Sequence, residues 1–289
     1  MRTQKYKNGY YQGNFVNGNR HGKGSYYWND GDRYEGDWKN GIREGKGIIY
    51  FKDGSKYEGE YKNGKWEGKG IRYYSNGNRY EGDWKNGEKD GKGIFYWKDG
   101  RRYEGDWING IKEGKGIIYY NDGSKYEGEY KNDYWDGKGQ KIFNNGDKYD
   151  GDWKEGYKEG KGIFSWINGD KYDGEFKQGL REGKGIYYFN NGNRYEGEWK
   201  NGKREGKGIF YWKNGDKYEG GWKSSEKDGK GILYYNNGER FEGEWKNDKK
   251  EGEGIIIHAN GDKEIVNYLN DIKIEKHELI NENVQIAQK

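Results

Sequence analysis

From Arg194 to Lys200 the chain reads Arg-Tyr-Glu-Gly-Glu-Trp-Lys. Aromatic residues and glycine alternate with charged ones, and a period of two marks a half-buried β-strand. Gly206–Trp212 reads Gly-Lys-Gly-Ile-Phe-Tyr-Trp, a second strand that is apolar on both faces at its far end. Residues 201–205 between them predict a loop around Gly202. Residues 213–216 after them predict a short hairpin turn, whose Asn-Gly pair takes positive φ cheaply. Turns this short force neighbouring strands to be antiparallel.

The same pair of strands recurs along the chain. Its leading aromatic stands at Tyr11, Tyr34, Tyr57, Tyr80, Tyr103, Tyr126, Tyr149, Tyr172, Tyr195, Tyr218 and Phe241, always 23 residues apart. Counting that residue as position 1, positions 3, 12, 14 and 21 are Gly in all eleven repeats, and position 8 is Gly in eight. Those places hold 52 of the 54 glycines, which makes them structural rather than linker-like. The fold class this predicts is all-β: an elongated single-layer antiparallel meander with about two strands per repeat, filling residues 1–261. Which face the second strand presents depends on the turn. A two-residue turn puts positions 15 and 17 beside the ring of position 1; a three-residue turn with a Gly bulge puts positions 16 and 18 there. Position 18 is aromatic in ten repeats, which favours the bulge. The strand glycines then leave room for rings to lie across the backbone.

Residues 262–289 break the pattern. The phase continues, but Val266 stands at position 3, Glu275 at 12 and His277 at 14. Residues 262–281 read as a degenerate capping repeat, because the last strand of an array exposes a bare edge. A helix over residues 274–286 is the competing reading.

Composition sharpens this picture. Leu, Ile, Val and Phe make up only 39 of 289 residues, a level that in isolation suggests disorder. Net charge, however, is only +4, and 52 aromatic residues recur at fixed intervals, so rings can replace an aliphatic core. There is no Cys, hence no disulfide or thiolate metal site. No apolar run approaches the ~20 residues that span a bilayer. The sequence enters the repeat at once with no leader, so a cytoplasmic protein is expected.

Tyr195-Glu196-Gly197-Glu198-Trp199, Gly202, Gly206-Lys207-Gly208 and Phe210 together resemble the MORN (membrane occupation and recognition nexus) repeat, and the resemblance covers Tyr11 to Gly261. It implies an elongated single-layer sheet with a groove of aromatic side chains. It also implies a range of roles: scaffolds in cytoskeletal assemblies and ciliary radial-spoke heads, membrane-contact proteins, and accessory modules on enzymes with a separate catalytic domain.

Candidate chemistry is sparse. His21, His258 and His277 are isolated, and the carboxylates at positions 2 and 4, such as Glu196 and Glu198, recur in most repeats as a solvated face. No enzyme, cofactor or metal site is expected. Position 10 is basic in nine repeats and position 13 is Lys in ten, but position 11 is acidic in ten. Alternating charges cancel beyond a Debye length of ~8 Å, which argues against nucleic acid and leaves membrane lipid a weak partner. The function expected is a non-catalytic scaffold that docks protein partners in a multi-subunit assembly, ciliary, axonemal or otherwise cytoskeletal. The alternatives are a phosphoinositide-binding tether and the targeting subunit of a separate enzyme.

The irregular positions carry the site expectation. Trp66 and Trp135 replace the base at position 10, three repeats apart. Beside Trp135, Asp133 and Tyr134 replace the usual loop, and Gln140 and Lys141 replace apolar residues. Ser224 and Ser225 stand in a later turn, and Gly221 replaces an acid. Loop aromatics Trp66, Tyr134 and Trp135 are expected to anchor a partner lying in the aromatic groove over Tyr126 and Tyr130.

Overall fold

A computed structural model describes residues 2–274. Every regular element among them is a β-strand, from Arg2–Tyr6 to Ile272–Ile274. The described chain forms two compact units, residues 2–144 with 154–156, and residues 145–153 with 157–274. Each is a single-layer antiparallel meander.

The repeat beginning at Tyr195 shows why this sequence folds so. Strands Arg194–Lys200 and Lys203–Tyr211 pair with Lys200 opposite Lys203. Asn201 and Gly202 between them have φ of 49° and 81°, the two-residue turn that suits the strands' twist. At the other end the Trp212 N–H donates to the Asp216 carbonyl at 3.0 Å. The Gly215 N–H returns to the Trp212 carbonyl at 3.0 Å, with Gly215 at φ 97°. This is the three-residue turn with a Gly bulge. Phe210 therefore lies opposite Tyr218, as it lies opposite Tyr195 across the tight hairpin, and the Trp212 ring rests on Phe210 at 4.7 Å. Positions 1, 5, 16 and 18 share one face. The two turns differ from expectation in one respect: the tight two-residue hairpin is at Asn201–Gly202, and residues 213–216 form the wider one.

Where position 8 is not Gly, the side chain offsets the left-handed backbone. Asp133, Ser225 and Asp248 have φ of 68°, 76° and 68°. Asp133 Oδ1 accepts the Lys112 N–H at 3.1 Å, Ser225 Oγ the Arg204 N–H at 3.2 Å, and Asp248 Oδ1 the Lys227 N–H at 2.9 Å. Each ties its turn to the preceding repeat. Position 11 does the same from below: Glu182 accepts the Asn201 N–H at 2.8 Å, and Glu205 the Ser224 N–H at 3.0 Å.

The position-1 tyrosines, Tyr11 through Tyr218, are fully buried. Tyr195 lies across Gly197 and Gly208, and a Cβ on either glycine would collide with its ring. Its hydroxyl donates to the Glu198 carbonyl at 3.1 Å. Trp199 meets the ring edge-on at 5.3 Å and sends its indole N–H to the Gly185 carbonyl of the preceding repeat at 3.1 Å. Trp222 of the next repeat reaches back to Tyr195 at 5.1 Å. Rings thus cross-link successive hairpins, none of which is stable alone. Gly208→Ala should lower stability by about 3 kcal/mol through this overpacking. Gly202→Ala, with open space around its Cβ but positive φ, should cost about 1 kcal/mol. Denaturant titration compares them, and equal losses would show that the ring does not dictate the glycine.

The same logic explains the C-terminal break. Glu264 replaces the ring at position 1, so Val266 fills position 3, buried and opposite Gly254 in strand Lys263–Leu269. The choice between strand and helix beyond Ile274 lies outside the described residues. No helix among the described residues is long and apolar enough to cross a membrane.

Candidate functional site

On the aromatic face the rings of positions 1 and 5 form a buried layer, with the position-18 rings half-buried beside it. Tyr126 is 0% and Tyr130 3% exposed, so both are core residues rather than groove lining. The expected aromatic groove over them is corrected: apart from the half-buried Phe15, the rings at positions 1 and 5 are buried, because each packs on its neighbours and cations lie on top. Position 10 supplies those cations. Arg204 sits 4.3 Å above Trp222, Arg181 4.4 Å above Trp199, and Lys89 3.8 Å above Trp107. Arg181 also donates to the Gly202 carbonyl at 2.7 Å. Burial lowers the Lys89 ammonium pKa to about 8.

Trp66 and Trp135 are not loop residues. They lie in strands Lys65–Tyr73 and Tyr134–Ile142 and stack flat on Tyr57 and Tyr126, each at 4.3 Å. In these two repeats the cation has moved to position 16. Arg72 lies 5.3 Å from Trp66 and 4.2 Å from Phe51, and donates to Ser55 Oγ at 3.0 Å. Lys141 lies 5.0 Å from Trp135 and 4.0 Å from Tyr120, and donates to Ser124 Oγ at 3.4 Å. Ring and cation have exchanged places. The signal was in the sequence: Asp53–Asn63 and Asp122–Asn132 are identical, and each supplies the serine that receives the displaced cation. Tyr134 alone of the five expected site residues is exposed, at 58%, just after the Asn132–Asp133 turn. The structure brings Tyr126, Tyr130 and Trp135 together in one repeat and leaves Trp66 in another.

The opposite face holds what the sequence reading missed. Within the second unit it is hollowed into a trough of about 940 Å³. Its floor is the glycine backbone of positions 3 and 14, such as Gly197 and Gly208. One side carries Ile186, Ile209 and Ile232 with Glu196 and Glu219, and the other carries Lys184 and Lys207 with Glu198. Charges on the first side are paired: Arg194 bridges Glu196 at 3.8 Å and Lys217 bridges Glu219 at 3.1 Å, while Arg194 covers Tyr211 at 4.2 Å.

The MORN repeat family model matches residues 11–33, 34–56, 57–79, 80–101, 103–125, 126–148, 149–171, 172–194, 195–217, 218–240 and 241–263. A search of curated proteins finds no match. Among solved structures, the Drosophila melanogaster SAS-4 TCP domain in complex with a proline-rich motif of Ana2 is 17% identical. That match covers 54% of this chain and 85% of that one, with a TM-score of 0.35. The TCP10 domain of Danio rerio CPAP is 10% identical, covering 86% and 97%, with a TM-score of 0.30. Virginiamycin B lyase from Staphylococcus aureus is 13% identical, covering 84% and 82%, with a TM-score of 0.15. Likenesses this distant carry no functional argument.

Proposed function

The chain belongs to the MORN repeat family, and we propose that it is a non-catalytic scaffold that docks protein partners within a larger cytoplasmic assembly of cytoskeletal type. The observation that carries the docking role is the trough: a long recess of fixed period, held open by rings packed on the reverse face. Such a surface presents the same groups at regular intervals and suits a rod-like partner better than a small substrate. The cytoskeletal and ciliary setting rests on the repeat family alone.

Membrane tethering is the reading to test against it. Most basic side chains of the sheet are already committed, either over rings or to carboxylates such as Lys69 to Asp83 at 2.6 Å, so attraction to anionic lipid is weak and screened. The test is cross-linking mass spectrometry of the full chain in its own cells, with vesicle co-sedimentation alongside. Protein cross-links on trough lysines, with no phosphoinositide vesicle binding at physiological salt, are the expected pair of results. Micromolar vesicle binding at that salt, without protein cross-links, would overturn the scaffold reading in favour of a tether.

A further inference from the structure

The lysines at position 13 fall into two states, set by the acid they face at position 4 of the next repeat. Where that residue is Asp, the lysine is clamped. Asp83 accepts the Lys92 N–H on one carboxylate oxygen at 2.9 Å and holds the Lys69 ammonium with the other at 2.6 Å. Asp37 does the same with Lys46 N–H and Lys23, and Asp106 with Lys115 N–H and Lys92. The short side chain, fixed by the bulge N–H, stands upright beside the ammonium. At Glu60, Glu129, Glu175 and Glu198 the longer side chain reaches past to the bulge instead. The Glu175 and Glu198 carboxylates lie against Gly183 and Gly206. Lys161 and Lys184, opposite them, make no ion pair among the described residues. Lys207 faces Gly221, which has no acid at all, and Lys230 faces Glu244. Four unclamped lysines therefore follow one another, and all four line the trough. In the first unit the unclamped lysines Lys46 and Lys115, facing Glu60 and Glu129, are separated by clamped ones.

We propose that this run is a docking rail for an acidic amphipathic helix of a partner protein, with carboxylates at every seventh residue on Lys161, Lys184, Lys207 and Lys230 and apolar residues against Ile186, Ile209 and Ile232. The proposal deepens the scaffold reading and rests on it. Charge complementarity supplies the acidic stripe, since the other trough charges are paired or turned away. The pitch supplies the spacing. Lysines recur every two strands, about 9.6 Å, and seven helical residues rise about 10.5 Å. Backbone chemistry selects a helix over an extended segment. The glycine floor spends its backbone N–H and C=O groups on strand pairing, as in Gly197 with Gly208. It has none left for an extended chain, whereas a helix satisfies its own.

The test uses the full chain and two synthetic helical peptides of about 24 residues, alike in composition. One has glutamate every seventh residue beside a leucine stripe, and the other has the same residues respaced to every fifth. Calorimetric titration at physiological salt should show the heptad peptide binding at least tenfold tighter. Lys184→Glu with Lys207→Glu should weaken it at least tenfold. Glu175→Asp with Glu198→Asp, which keeps every charge but re-clamps Lys161 and Lys184, should weaken it about fivefold, with thermal melts unchanged. Equal binding of both peptides would reduce the rail to general electrostatics and overturn the proposal. So would indifference to the Glu→Asp pair. If the peptides fail while protein cross-links fall elsewhere on the sheet, the rail is wrong and the scaffold reading stands.

Discussion

Raised above pH 10, the protein should unfold cooperatively and release its tyrosine protons in the same step. Burial drives the pKa of the position-1 tyrosines upward, Tyr57, Tyr103, Tyr172 and Tyr195 among them, and does the same to Tyr61 and Tyr130 at position 5. A folded-state pKa above the unfolded one means that the native chain keeps a proton which the unfolded chain loses. The stability this supports is therefore fully present below the ordinary tyrosine value near 10 and lost as pH rises past it. Each such tyrosine lowers stability by about 1.4 kcal/mol per pH unit in that window. Three in one opening segment remove about 4 kcal/mol per unit, against a total of about 5–15 kcal/mol. Unfolding is thus expected within about 1–4 pH units above 10. The buried lysine acts oppositely at first. Lys89, lowered to about 8, is neutral in the folded chain while still charged in the unfolded one, so stability rises modestly from pH 8 toward 10 before the tyrosines take over. Near-UV circular dichroism and tyrosinate absorbance followed together decide the matter. A gradual titration centred at the ordinary value, with the aromatic dichroism intact, would show that these rings are solvated.

The period of 23 and the strand pair were legible because glycine and aromatic positions repeat without insertion, and each repetition tests the same inference again. The Gly-bulge turn and its consequence, Phe210 opposite Tyr218 with Trp212 on Phe210, followed from one statistic, the aromatic at position 18. What the pattern did not reveal was where the empty space lies. Period two says which residues share a face, but not which face is filled. Tyr195 leans over two glycines and closes its own face, which leaves the face of Glu196, Lys207 and Ile209 hollow. Nor did charge counting show that Asp and Glu at position 4 are different instruments. One methylene decides whether Asp83 clamps Lys69 or Glu198 passes Lys184 by. That difference exists only in three dimensions, where the bulge N–H fixes one carboxylate and the next CH₂ moves the other out of reach. Trp66 and Trp135 looked like anchors because each stands out from the basic residues at position 10 on either side, whereas the explanation lies in the residue six places on.

That exchange makes a strong prediction about stability. Trp66→Lys restores the basic character that position 10 has in nine repeats and looks benign. Here it would remove the indole stacked on Tyr57 and edge-on to Trp84 at 5.0 Å, and it would set a second cation beside Arg72. A loss of about 3–5 kcal/mol is expected, the scale of deleting a large buried ring. Arg72→Phe alone should also destabilise, because it leaves Ser55 without its guanidinium partner and crowds a second ring against Trp66. Made together, the two changes rebuild the common arrangement, a cation at position 10 over the next repeat's Trp84 and a ring at position 16 opposite Tyr57. The double-mutant cycle should therefore show a favourable coupling of about 2 kcal/mol or more by urea titration. Additivity within about 0.5 kcal/mol would mean that the ring and the cation are independent and that the exchange is accidental. The cycle at Trp135→Lys with Lys141→Phe should behave alike. Its single mutant also bears on partner capture: weakened capture by Trp135→Lys alone reports a damaged aromatic layer, whereas capture lost in the restored double variant would place the indole itself in the interface.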